Sequence, residues 1–245
     1  IYFSVPESAE VVEIIAFADV LKRICAVFLG WDDAMAMADS SKGLPVSKVE
    51  ITPENIKAAT AILCARPYEP EAFIEEFGME MELIAACLET AVITITVCLD
   101  PAAPSVRAFT DGTTYGRVLQ LMGTEGMRTH ISKRVFPNYV LAEARRRGVT
   151  VLICPDARFD EEIEMTQELN GFAARIVPGA GFVGLQDGRS TAHASENTGD
   201  KFGLPTITNN FDAAFSADVR EWIGAAVAST RSEERRVGKE CTIQC

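Results

Sequence analysis

The reading of the chain turns on VTVLICPDARF, residues 149–159. Its first six residues form a nearly unbroken apolar run, the pattern of a central parallel strand buried on both faces. A strand of this kind delivers whatever follows it to the carboxyl edge of the sheet, where α/β proteins bind ligands. Asp156 is placed there to order a metal ion through water. Arg158, two residues on, is placed to take a phosphate in two parallel hydrogen bonds. The same spacing suits a strand-end aspartate that caps the next helix, with Arg158 paired to a nearby carboxylate.

Outward from this strand, the pattern alternates. Residues 11–17, VVEIIAF, read as a buried strand, followed by a helix with Val20, Leu21, Ile24, Val27 and Phe28 on one face and Gly30 as its stop. Residues 31–50 read as loop. Thr52-Pro53-Glu54 starts a helix that runs to about Cys64, and Pro67 and Pro70 break it. A further helix is expected over 71–89, then a strand, VITITVCL, at 92–99. Helical spacing returns at 113–130, and a second helix ends in ARRRG at 144–148, where Arg145, Arg146 and Arg147 oppose the negative end of the dipole. A helix at 161–169, a strand at 173–177, a glycine-rich loop at 178–192, a strand at 206–208 and a helix at 217–228 complete the series. Strands alternating with helices point to an α/β sheet with crossover connections.

Composition narrows the function. The 245 residues carry 35 acidic and 23 basic side chains, a formal charge of −12, which excludes a broad basic surface for nucleic acid or an anionic membrane. An anionic ligand needs a pocket where a few cations converge. The 7 cysteines are scattered, there are only 2 histidines, and no Cys/His spacing suits zinc. The pattern is that of a reduced, cytoplasmic protein. The most apolar stretch, residues 83–99, contains Glu89 and several threonines, and reads as a helix end and a buried strand rather than a membrane span.

Five pieces, in order, carry a resemblance. These are IIAFADVLKRICAVFLGW (14–31), VLQLMGTEGMR (118–128), VLICPDARFDEEIEMTQELNGFAARIVPG (151–179), HASEN (193–197) and TITNN (206–210). Together they resemble the phage-type deoxynucleoside monophosphate kinases, a P-loop kinase family, and they cover a little over half of the chain. The resemblance implies a single three-layer P-loop NTPase-like domain over 1–230 with a mostly parallel sheet. It implies transfer of the γ-phosphoryl of ATP, with Mg²⁺, to a deoxynucleoside 5′-monophosphate in the cytoplasm (that of the host, if phage-encoded). It casts Arg158 and Asp156 as phosphate clamp and Mg²⁺-ordering acid, Arg128 and Lys22 as holders of the acceptor phosphate, Gln120 and Thr124 as neighbours of base or sugar, and Arg189 as a lid arginine. A small nucleotide is then the partner, with a homodimer possible and neither nucleic acid nor membrane involved.

The chain also departs from the family. The phosphate loop, a GxxGxGK turn expected before residue 11, does not occur in the sequence, so the first strand and its loop are expected to be missing and the chain inactive as it stands. Residues 42–112 match nothing in the family and read as a helical insertion, and RSEERRVGKEC within 231–245 reads as a non-native tail. His193, Ser195 and Glu196 do not form a hydrolase arrangement by sequence proximity; Ser195 reads as a helix cap. Asp19 reads as a helix N-cap and His130 as a satisfied side chain. Two alternatives stay open: another small-molecule kinase of this fold, acting on phosphomevalonate or dephospho-coenzyme A, or a nucleotide-binding module without turnover.

Overall fold

The computed structural model describes residues 11–64, 80–102, 107–109, 112–179, 200–210, 212, 214–226 and 228. Its elements are β1 (Val12–Ile14), α1 (Ala18–Leu29), α2 (Asp33–Met37), a 3₁₀ turn (Asp39–Gly43), β2 (Val49–Glu50), α3 (Pro53–Leu63), α4 (Met81–Leu99), β3 (Ala108–Phe109), α5 (Tyr115–Leu121) running into a π-helix (Met122–Arg128), α6 (Val135–Arg146), β4 (Val151–Ile153), α7 (Asp160–Glu168), β5 (Arg175–Pro178), a 3₁₀ turn (Asp200–Phe202) and β6 (Thr206–Asn209). Residues 214–226 are helical.

The strands make a mixed α/β architecture of small sheets. β1 and β4 pair in parallel with Glu13 opposite Leu152, β5 and β6 pair in parallel with Ile176 opposite Ile207, and β2 and β3 are antiparallel. Helices α1 to α6 lie between the parallel partners β1 and β4 in the chain, as a parallel pairing requires of its connection. One expectation changes. Among the described residues β4 pairs with β1 alone, and only Leu152 of its three residues is fully buried, so it is not covered on both faces. On β1, Ile14 is 69% exposed.

The core is built by helices. Val20, Ile24 and Phe28 of α1, Leu63 of α3, and Ile84, Leu88 and Ile95 of α4 close around Tyr115, Val118 and Met122. The α3 start is as expected, with Thr52 at the N-cap, its hydroxyl accepting from Asn55 N, and Pro53 in the first turn. Residues 31–50, read as loop, instead hold α2, capped by Asp32, and the 3₁₀ turn.

The strand expected at 92–99 is the second half of α4. Its β-branched run reads as a strand, yet the threonine hydroxyls have partners one helical turn back. Thr90 Oγ1 donates to Ala86 O at 2.9 Å, Thr94 Oγ1 to Thr90 O at 3.0 Å, and Thr96 Oγ1 lies 2.9 Å from Val92 O. With those groups satisfied, packing decides. Ile84, Leu88, Ala91, Val92 and Ile95 recur at helical spacing and are all fully buried. The helix is long and apolar enough to cross a membrane by length and composition, and this face lies in the protein core.

Candidate functional site

α1 and the α5–π helix run past each other in opposite senses. Leu21 meets Gly123, where an added Cβ would lie 3.1 Å from Leu21 Cδ2, while the Tyr115 hydroxyl lies 3.4 Å from Lys22 O. The β4–α7 loop stands at one end of this pair and the 3₁₀ turn Asp39–Gly43 at the other. Between them is a cavity of about 360 Å³, within the range of small-ligand sites. Each candidate site residue that falls among the described ones lines it: Lys22, Gln120, Thr124, Arg128, Asp156 and Arg158. Arg189, and with it His193, Ser195 and Glu196, lies outside the described residues.

Asp156 ties the two walls together. Its Oδ1 accepts from Phe17 N at 2.8 Å and its Oδ2 from Ala18 N at 2.9 Å. The carboxylate therefore caps a helix, but α1 rather than the helix that follows it in sequence. A negative charge at the start of α1 also suits the helix dipole. Asp19 is not the N-cap; that position is Phe17, without a side-chain bond of its own. Lys22 Nζ stands 4.0 Å from Asp19 Oδ1, so its charge is turned toward the capped end of α1.

Arg128 closes the other wall. Its side chain is 7% exposed and pairs through Nη2 with Glu162, itself 2% exposed. Nη1 donates to Lys133 O at 2.8 Å, and the guanidinium lies over the Phe159 ring at 3.6 Å and the Phe136 ring at 4.9 Å from their centroids. The Arg128 Nε is buried without a hydrogen-bond partner among the described residues. Burial pushes the Arg128 guanidinium below its ordinary value, against the attraction of Glu162. Burial likewise pushes the Glu162 carboxyl up, against Arg128 and the amides of Arg158 and Phe159. Glu162 Oε2 accepts from those amides at 2.6 and 3.0 Å, so one carboxylate fixes both Arg128 and the backbone that carries Arg158.

The π-helix has a packing cause. Gly126 sits where an added Cβ would lie 3.3 Å from Ala91 Cβ, so the helix approaches α4 closely while the wider turn swings Arg128 toward α7. Inserted π turns of this kind recur at functional sites. His130 is satisfied as expected, with Nε2 2.9 Å from Thr94 Oγ1. Burial pushes the Cys154 thiol, next to this edge, up to about 12, so it is a protonated thiol at neutral pH and no nucleophile.

Sequence reading missed five contributors. Lys42 and Asp39, paired at 2.7 Å, line the cavity from a stretch read as loop, and no motif marks them. Phe136 and Phe159 enclose Arg128 from distant positions. Glu162 did carry a signal, an acid three residues beyond Phe159 in the first turn of a helix, which is the capping-box position.

The cavity lining brings Lys22, Lys42, Arg128 and Arg158 together with Asp39, Asp156 and Glu162. In a chain of net charge −12, such a local convergence of cations is what binding of an anion would require. No family model, no curated protein and no solved structure matches the chain.

Proposed function

We propose that the chain is the acceptor-binding part of a P-loop-type phosphotransferase that moves the γ-phosphoryl of ATP to a deoxynucleoside 5′-monophosphate in the cytoplasm. The observation that carries this is the convergence, in one groove, of Lys22, Gln120, Thr124, Arg128, Asp156 and Arg158, which come from three separate stretches of the resemblance. Transfer of this kind asks for positioning and charge neutralisation more than covalent chemistry from the protein. Lys22 and Arg158 supply cations for the acceptor phosphate. Arg128, held rigidly, offers its Nε–H, and Phe136 and Phe159 keep water from that end.

The residues present fit a Mg²⁺ ion only through water. Each Asp156 oxygen already accepts one amide and has a second lone pair to spare, and no group of three His, Cys, Asp or Glu able to hold a metal occurs among the described residues. Mg²⁺ commonly keeps several waters and takes one or two carboxylates. When bound, the ion neutralises charge on the transferring phosphoryl group. The buried free thiols of Cys25 and Cys64 agree with a reducing compartment.

Calorimetric titration of the full chain with deoxynucleoside monophosphates tests the reading. Binding weakened about tenfold or more in Arg158→Ala and Lys22→Ala is expected, since charge-assisted phosphate contacts are strong. Absence of binding by any monophosphate overturns it.

A further inference from the structure

The groove extends well beyond its phosphate-suited end. Its helical wall runs from Gly116 to Arg128, roughly 17 Å at the rise of a helix. At the Arg128 end stand Glu162 and the β4–α7 loop. At the Gly116 end the 3₁₀ turn is bound to the start of α5: Tyr115 N donates to Leu44 O at 3.0 Å and Val46 N to Thr113 O at 2.7 Å. That end presents Lys42 and Asp39, with Nζ and Oδ1 2.7 Å apart.

The two side chains differ in setting. The Asp39 side chain is 85% exposed and that of Lys42 only 23%. An ion pair at so open a position adds little to stability, yet it sets an acceptor carboxylate beside a donor ammonium at the mouth of a ligand-sized cavity. A purely anionic ligand has no use for the carboxylate. A ligand with a phosphate at one end and an edge of mixed donors and acceptors at the other uses both.

On the reading above, that edge belongs to a nucleobase, and we infer that Asp39 and Lys42 read it and select guanine. Guanine alone among the DNA bases presents two adjacent N–H donors, N1–H and N2–H, beside a carbonyl, O6. The Asp39 carboxylate accepts from the two N–H groups and the Lys42 ammonium donates to O6. Thymine offers Lys42 a carbonyl but Asp39 a single N–H. Adenine and cytosine offer no carbonyl next to a donor there. Sites built to hydrogen-bond a polar edge discriminate strongly against ligands that lack it.

The test is equilibrium binding of dGMP, dTMP, dCMP and dAMP to the full chain and to Asp39→Asn and Lys42→Met, with circular dichroism melts as the folding control. Asp39 is exposed enough for Asp39→Asn to leave the melt unchanged. The expected result is tightest binding of dGMP, weakened about tenfold in Asp39→Asn with dTMP little changed, and weakening of both dGMP and dTMP in Lys42→Met. Equal affinity for all four nucleotides, unaltered by either substitution, overturns the base assignment while leaving the phosphotransferase reading intact. If none of the four binds, the reading on which the assignment rests falls with it.

Discussion

Arg128 and Glu162 form an ion pair in which both side chains are more than nine-tenths buried, at the floor of the groove and between two aromatic rings. Such a pair is costly to break from one side, because the remaining partner is left charged and dry. Arg128→Ala and Glu162→Ala are each expected to lose about 3–5 kcal/mol in urea unfolding. Replacing both by apolar residues of similar volume, Arg128→Met with Glu162→Leu, recovers most of the loss. Additive losses in the double variant would show that the two do not act as a pair.

The Asp156 carboxylate holds the amides of Phe17 and Ala18, so it stabilises the protein before any ligand arrives. Asp156→Asn keeps the shape but turns one acceptor into a donor facing an amide. The ligand-free protein is expected to lose about 1–2 kcal/mol, read as a lower melting temperature. A melt identical to that of the parent would assign the carboxylate to ligand alone.

Two glycines of the π-helix separate stability from binding. At Gly126 an added methyl meets Ala91 Cβ and Met122 Sδ at 3.3 Å, and Ala91 is fixed to its backbone. Gly126→Ala is expected to destabilise by about 1–2 kcal/mol despite its better helix propensity. At Gly123 the obstacle is the far end of the Leu21 side chain, 3.1 Å away, which can turn aside into the groove. Gly123→Ala therefore leaves the melt nearly unchanged and weakens monophosphate binding. The opposite ranking in paired melts and titrations would overturn this packing argument.

Acid sensitivity centres on Glu143. Arg146 Nε and Arg147 Nε donate to it at 2.8 and 2.6 Å, and the Arg146 hydrogen bond first, then Arg147, holds its carboxyl below the ordinary 4.5. In the window beneath that value the unfolded chain binds the proton more readily than the folded one, so stability is present above it and falls as pH drops through it. Urea midpoints followed from about pH 6 down to about 2.5 are expected to fall less steeply in Glu143→Gln. An acid limb as steep as that of the parent would place the sensitivity elsewhere.

Much of the site was legible because strand edges and helix ends are local events. VLICPDAR announces a strand and what stands at its end, and GTEGMR announces a helix whose last residue is charged. The partners of those charges were not legible. Asp156 finds Phe17 across 139 positions, and no pattern in either segment names the other. The reading of 92–99 failed for a different reason. β-Branched residues favour strands when nothing else decides, whereas here Thr96 Oγ1 lies 2.9 Å from both Val92 O and Ala108 O, a satisfaction that only the assembled helix and β3 can provide. Lys42 and Asp39 escaped notice because a short 3₁₀ turn leaves no periodicity to read.

The capping of α1 by Asp156 also makes two equilibria one. Asp156 holds α1 through one lone pair on each oxygen. The remaining lone pairs of the same carboxylate are those a hydrated cation would use, so a pull on one set is felt by the other. By reciprocity, a ligand that draws Asp156 toward itself loosens the first turn of α1 by as much free energy as the docking of that turn subtracts from the ligand's affinity. The first turn of α1 would thus act as a counterweight to any ligand held through Asp156.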